Sequence, residues 1–315
     1  MGHTQTLGAH LMVKLFRQSL MLTLCSLSLG VQAAEYFLVA SGLGGEDYYS
    51  DAFSDRAGLL AESLELLNAN ALYTLEADDS SLEAIEAVFA ELRTRMRAGD
   101  ELQVYLIGHG SFDGETYKFN ITGPDLTGER LGELLDALPT GPQLVTVMTS
   151  ASGALQEILQ GENRVLITAT KSGLERNAPV FSAYWTAGLA DAAADSNKNE
   201  LLSAAELYQY SVDRVESHYS EENLLASEHA LISDEPRAND FTVARVGVLA
   251  SSQLSEMAES LLNERNQIEG NIQQLMSRRA EMSQDEYFDQ LQDLMLDLGR
   301  IQQRIDMEVE DSDAP

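Results

Sequence analysis

From Glu35 onward, short apolar β-prone runs alternate with longer helix-patterned segments, and that alternation limits what the chain can fold into more than any other feature. The runs 36–40 (YFLVA), 71–75, 102–107, 144–148 and 165–170 are each bounded by Gly, Asp, Asn or Ser, as buried strands are. Between them the spacing of apolar residues predicts helices at about 51–68, 81–97, 127–138, 152–160 and 178–190. Strand, helix, strand, repeated, closes as a parallel sheet with helices on both faces. The expected fold class is α/β.

The two ends of the chain read differently. Lys14 and Arg17 precede an apolar run from Leu20 to Val31, and the small residues Ala33 and Ala34 follow. Residues 1–34 thus have the layout of a secretory signal peptide cleaved after Ala33 or Ala34. The run is short for a membrane span, and Leu24 before Cys25 fits a lipoprotein cleavage site poorly; an uncleaved anchor is the alternative. The expectation is an exported protein, periplasmic or extracellular, free of the membrane once its leader is cleaved, with an α/β domain over 35–250. In 251–315, Leu254, Leu261, Ile268 and Leu275 recur every seven residues, as do Leu291, Leu298 and Ile305, with Leu294 and Ile301 between them. Ser283 and Glu286 offer a capping box for a second helix. This predicts a coiled-coil-like helical hairpin with an acidic tail, its first seam interrupted by Arg265 and Arg279, and a candidate surface for oligomerisation.

Composition then removes whole classes of chemistry. Leader cleavage takes away Cys25, His3 and His10, leaving no cysteine and only His109, His218 and His229. Disulfides, thiolate metal sites and thiol nucleophiles are excluded from such a mature chain. The full sequence carries 20 Lys and Arg against 51 Asp and Glu, a formal net charge of -31. Nucleic acids and anionic membranes are disfavoured partners, because both are held by neutralising negative charge.

In a parallel α/β sheet, functional groups collect on loops at the carboxyl ends of the strands. The third expected strand runs into Gly108-His109-Gly110-Ser111 and the fourth into Thr149-Ser150-Ala151-Ser152-Gly153. If those strands are neighbours, a histidine and a serine emerge side by side as base and nucleophile. Gly108 and Gly110 let backbone N–H groups approach a substrate, and the helix after Ser150 offers further donors for an oxyanion. The plainer alternative is a turn histidine beside a serine, Ser150 or Ser152, that caps a helix.

The element Tyr105-Leu106-Ile107-Gly108-His109-Gly110-Ser111, followed one strand later by Ser150-Ala151-Ser152-Gly153, resembles the catalytic loops of the caspase and legumain superfamily of cysteine peptidases, with bacterial secreted caspase-like proteins the nearest branch. The similarity covers about residues 35–234. It implies a caspase-like sheet, with His109 matching the catalytic histidine, Gly110 the oxyanion-hole glycine, and Ser150 standing where the family has its cysteine in Cys-x-Ser-Gly. A serine hydroxyl stays protonated at neutral pH and needs a well-placed base, whereas a thiol is already partly ionised. The resemblance therefore implies a pseudopeptidase that binds a peptide or protein partner. The alternative is a serine hydrolase built on a Ser150–His109 dyad, with Asp113 or another acid orienting the imidazole. A third reading makes the hairpin the working part, an assembly surface carried by the α/β domain.

Two further features carry expectations. Asp195, Asn197, Asn199, Leu201, Ser203 and Glu206 occupy the ligand positions of an EF-hand-like loop, which makes calcium the one candidate ion in a chain that otherwise requires no cofactor. Glu200 stands where such loops have their turning glycine, and a polar turn with Ser203 capping the next helix, over 203–218, is the alternative. Arg176, with Lys171 and Asn177 beyond the fifth strand, is the candidate substrate-binding cation, and a loop-holding role is its alternative. His218, His229, Glu222 and Glu228 lack the spacing of a zinc site.

Overall fold

The computed structural model describes residues 33–65, 71–246, 256–279 and 282–312. The expected leader up to residue 32 and Leu254 of the first heptad seam lie outside the described residues. Strand β1 (Glu35–Ser41) leads through α1 (Asp47–Glu65), β2 (Ala71–Leu75) and α2 (Leu82–Arg95) to β3 (Glu101–Gly108). Three short strands follow, β4 (Gly110–Phe112), β5 (Tyr117–Phe119) and β6 (Leu126–Thr127), then α3 (Gly128–Asp136) and β7 (Gln143–Thr149). A single 3₁₀ turn (Ser152–Ala154) runs into α4 (Leu155–Ile158), which precedes β8 (Arg164–Thr168), α5 (Phe181–Gly188), β9 (Leu201–Ser203) and α6 (Ala204–Glu221). The remainder is β10 (Leu231–Ile232), α7 (Glu235–Asp240), β11 (Thr242–Arg245), α8 (Glu256–Ser277) and α9 (Gln284–Ser312).

Local chemistry sets the helix starts. Ser81 and Thr127 accept from Ala84 N and Arg130 N through their side chains, and Ser203 forms a full capping box with Glu206. Such caps satisfy N–H groups that have no partner inside the helix.

The main sheet runs β10-β8-β7-β3-β1-β2. All five expected strands pair parallel, and β10 adds antiparallel to β8, so the sheet is mixed at one edge rather than parallel throughout. A strand of two residues has no period for a sequence pattern to reveal. The three-stranded β4-β5-β6 sheet and the β9–β11 pair are likewise additions to the expected set.

Strand side chains alternate between two cores. On one face Phe37, Val39, Tyr105, Ile107, Met148 and Ile167 meet Phe53 and Leu60 of α1, Phe181 and Trp185 of α5 and Leu207 of α6. On the other, Leu38, Val104, Leu106, Val145 and Leu166 meet Ile85 and Leu92 of α2, Leu131 of α3 and Leu155 of α4. Helices therefore cover both faces, as the expected architecture requires.

The C-terminal helices run antiparallel: Arg279 stacks over Tyr287 near their turn, 5.5 Å from the ring centre, while Arg265 reaches Gln302 near their far ends. Their base packs back onto the α/β domain, where Leu261, Leu262, Ile301 and Ile305 enclose Leu201 of β9. Arg265, an interruption of the heptad seam, is 2% exposed and donates to the Asn199 carbonyl at 2.6 Å. Among the described residues no helix is long and apolar enough to cross a membrane.

Candidate active site

β3 and β7 are neighbours in the sheet, with Gly108 opposite Thr149, so the loops that leave them lie side by side. His109 Nδ1 sits 3.5 Å from Ser150 Oγ, and its Nε2 sits 3.1 Å from the Gly44 carbonyl oxygen. A carbonyl only accepts, so Nε2 carries the proton and donates to Gly44, which leaves the Nδ1 lone pair facing the serine. Tyr49 and Phe53 of α1 pack edge-on around the imidazole, with centroids at 4.9 and 5.1 Å. Burial among these rings lowers the affinity of His109 for a second proton, and the Gly44 hydrogen bond offsets this only in part. The result is a neutral imidazole with its base nitrogen aimed at a hydroxyl that lies at the outer limit of hydrogen bonding.

The Ser150 backbone is held from both sides. Tyr117 Oη lies 2.6 Å from Thr149 Oγ1, and Thr149 Oγ1 donates to the Ser150 carbonyl at 3.1 Å. With the threonine proton committed, Tyr117 is the donor of the first bond, and burial pushes its hydroxyl far above the ordinary tyrosine range. Ala151 takes the left-handed conformation, φ 57°, and its N–H donates to the Glu175 carbonyl at 2.7 Å. Ser152 and Gly153 are fastened to Thr170 by bonds of 3.2 and 2.9 Å. Ser150 ends up only 1% exposed.

Gly110 is required by close approach. A methyl carbon there would collide with the Ser150 carbonyl, would fall 2.7 Å from Tyr117 Oη and would fall 2.8 Å from Thr149 Oγ1. Asn120 N donates to His109 O and Asp113 N to Thr116 O, which makes Gly110–Phe119 a non-hydrogen-bonded pair of the β4–β5 ladder. The Gly110 N–H thus points away from β5, where it can serve as a donor to an oxyanion.

The structure therefore brings His109, Gly110 and Ser150 together, as the loop order predicted. It does not place Asp113 at the imidazole: that carboxylate accepts from Glu115 N and Thr116 N in an exposed turn, which holds its pKa below the usual range. Gly44, Tyr117 and Glu175 escaped sequence reasoning. For Gly44 the signal is present in Gly42-Leu43-Gly44-Gly45 at the carboxyl end of β1; for the other two only topology reveals the role.

Glu175 joins the flanking loops, accepting from Lys171 N at 2.9 Å and His229 N at 3.2 Å and pairing with the His229 ring and Lys171 Nζ. Arg176 beside it is exposed, with no hydrogen bond or ion pair among the described residues. Glu228 lies on the same side, buried, accepting from Val180 N and Phe181 N at the start of α5, and desolvation raises its pKa. His218 packs between Tyr184 and Tyr219.

The 195–206 loop is closed by protein donors. Asp195 accepts from Asn199 N and Glu200 N, and Glu206 accepts from the amides and hydroxyls of Ser196 and Ser203 and from Asn197 N. Asn199 Oδ1 accepts from Leu201 N. Glu200 itself takes φ 63°, so the sharp turn forms without glycine. Among the described residues no three His, Asp or Glu side chains converge as a metal-binding group.

No family model matches the chain, and no curated protein matches it. Among solved structures it is similar to a protein from Geobacter sulfurreducens at 11% identity, covering 63% of this chain and 92% of that one with a TM-score of 0.45. It is also similar to the Drosophila initiator caspase Dronc at 9% identity, covering 58% of this chain and 72% of that one with a TM-score of 0.39.

Proposed function

We propose that this chain is an exported, catalytically silent relative of the caspase and legumain peptidases, a peptide- or partner-binding module in which Ser150 stands in place of a catalytic cysteine. The observation that carries the reading is the state of Ser150: 1% exposed, with its hydroxyl 3.5 Å from the only base in reach among the described residues. Activating a serine requires nearly complete proton transfer to that base, and the base is weak here. His109 is oriented by a neutral carbonyl, which stabilises an imidazolium less than a carboxylate does, and burial already disfavours its protonation. The strand-end loops, held by Tyr117, Thr149 and Glu175, remain a preorganised platform for a peptide backbone.

A second reading, a serine hydrolase, is favoured by one specific observation. The tautomer fixed by Gly44 leaves Nδ1 free to take the Ser150 proton, and the Gly110 N–H is positioned to meet an oxyanion. Treating the folded protein with a tagged fluorophosphonate separates the two. A binding module gives no adduct and retains peptide capture; an adduct mapped to Ser150 that vanishes in His109→Ala establishes the hydrolase instead. Neither reading needs a cofactor. Calcium enters only as a weak ligand of the 195–206 loop, where it would have to displace the amide donors now on Asp195 and Glu206; calorimetric titration of the full chain with calcium tests this.

A further inference from the structure

Large apolar side chains are left exposed at an unusual place. In the α/β domain these are Leu59, on α1, and Leu43, Tyr48, Leu174, Leu224, Leu225 and Leu231, and Leu43, Tyr48, Leu174 and Leu231 sit on segments that follow or pair with β1 and β8, the strands next to those that carry His109 and Ser150. Leu43 adjoins Gly44, whose carbonyl holds His109, and Tyr48 packs edge-on against Tyr49, which packs against the same imidazole. Leu174 adjoins Glu175, whose carbonyl takes the Ala151 N–H. Leu224 and Leu225 lie in the segment that ends at His229, itself bound to Glu175, and Leu231 pairs with Thr168 at the carboxyl end of β8. Since β1 flanks β3 and β8 flanks β7, Leu43 and Tyr48 after β1 make one apolar bank, and Leu174 after β8 with Leu231 of β10 makes a second, joined by the segment that carries Leu224 and Leu225.

Their exposure is high where it matters: Leu225 is 94% exposed, Leu174 77% and Tyr48 74%. Scattered surface leucines need no explanation, but concentration around one site marks a binding surface. The charge on the banks has a sign. Glu46 and Asp47 are exposed beside Tyr48, and Glu221 and Glu222 are exposed beside Leu224. On the other side of the balance, among the described residues, stand Lys171, paired with Glu175, Arg56 of α1, which donates to Ser182, and the exposed Arg176.

We infer that the banks bind an extended peptide segment of a partner protein in which apolar side chains alternate with lysine or arginine. The apolar side chains lie on the leucines and Tyr48, and the cationic ones meet the four rim carboxylates, whose field in a chain of net charge -31 also speeds encounter. This rests on the reading of the strand-end loops as a peptide platform and adds the class of peptide.

The test is fluorescence anisotropy of labelled peptide pools, apolar–basic, apolar–acidic, polar–basic and polar–acidic, with the full chain and two variants. Leu174→Ser/Leu225→Ser changes only exposed side chains, and Glu221→Gln/Glu222→Gln removes rim charge without changing size. The expected result is tightest binding of the apolar–basic pool, weakened about tenfold or more in the leucine variant, with a shallower salt dependence in the glutamine variant. Equal binding of all pools, or unaltered affinity in the leucine variant, overturns the apolar–basic assignment and leaves the platform standing. Binding of no pool overturns the platform and the assignment with it.

Discussion

At the scale of single residues, the site is defined by contacts too close to tolerate added atoms. Gly110→Ala drives a methyl into Ser150, Tyr117 and Thr149, all held in place by hydrogen bonds, and is expected to cost about 1–3 kcal/mol, as overpacking does. Gly58, inside α1 with nothing within 4 Å of an added Cβ, gives the opposite sign: Gly58→Ala should stabilise by about 0.5–1 kcal/mol. Urea unfolding of both variants checks the pair, and a neutral Gly110→Ala would remove the close approach from the account of the site. The imidazole supplies a pH dependence. Because burial holds His109 below its ordinary value of 6.5, the unfolded chain takes up a proton that the folded one resists. His109 therefore adds a loss of stability as pH falls through the window beneath 6.5 and none above it. Urea midpoints for the parent and His109→Gln, compared at about pH 7.5 and about pH 5.5, should diverge in favour of the variant at the lower pH. Parallel pH profiles would show that the imidazole protonates freely in the fold.

At the scale of elements, the parallel pairing of β1 and β3 places Glu35 opposite Glu101 at the amino end of the sheet. Desolvation first, and Glu35 second, push the Glu101 carboxyl up to about 8, while Gln103 donates to it at 3.2 Å. A raised acid favours the folded state fully below its unfolded value of 4.5, and that contribution is lost as pH rises toward 8. Glu101→Gln should flatten this decline and raise the thermal midpoint at alkaline pH, read by melting curves across the window; a variant as pH-sensitive as the parent would assign the ionisation elsewhere. Pairings of this kind are invisible in sequence, although the strands themselves are not. Runs such as LVTVM declare a doubly buried strand by being apolar throughout, and Ser81, Thr127 and Ser203 declare their helices because a capping side chain must precede the first turn. His109, Gly110 and Ser150 were legible for the same reason, since loops at the carboxyl ends of adjacent parallel strands must meet. What was hidden depends on contacts distant along the chain. Tyr117 reaches Thr149 only because β5 folds back over β4, Gly44 orients His109 across 65 positions, and β10 is too short to carry a period. The orienting acid that the serine-hydrolase alternative called for is not Asp113, because a neutral backbone carbonyl, which any residue supplies, holds the imidazole instead.

At the scale of the whole molecule, the question is whether the hairpin and the α/β domain behave as one unit. The seat between them is small but specific. Leu201 is enclosed by Leu261, Leu262, Ile301 and Ile305, and Arg265 spans the seam to the Asn199 carbonyl and Gln302, while Asn199 Nδ2 donates to Glu269 at 2.8 Å. Burying a guanidinium is costly unless its donors are used, and here Nε finds no hydrogen-bond partner, with Glu269 3.8 Å away. The aliphatic cluster must therefore supply the net attraction, with Arg265 fixing where the helices land. Leu261→Ala removes the centre of that cluster and should weaken the seat by about 2–5 kcal/mol, as large-to-small core changes do. The two principal cores of the sheet share no residue with it, so the domain is expected to keep its own melting transition while α8 and α9 become sensitive to limited proteolysis. Peptide capture at the strand-end loops, which contribute no residue to that cluster, should be unchanged in the same variant. If instead the whole domain melts earlier with no selective cleavage of the helices, hairpin and sheet unfold together, and the 195–206 loop is a structural joint between them rather than a docking point.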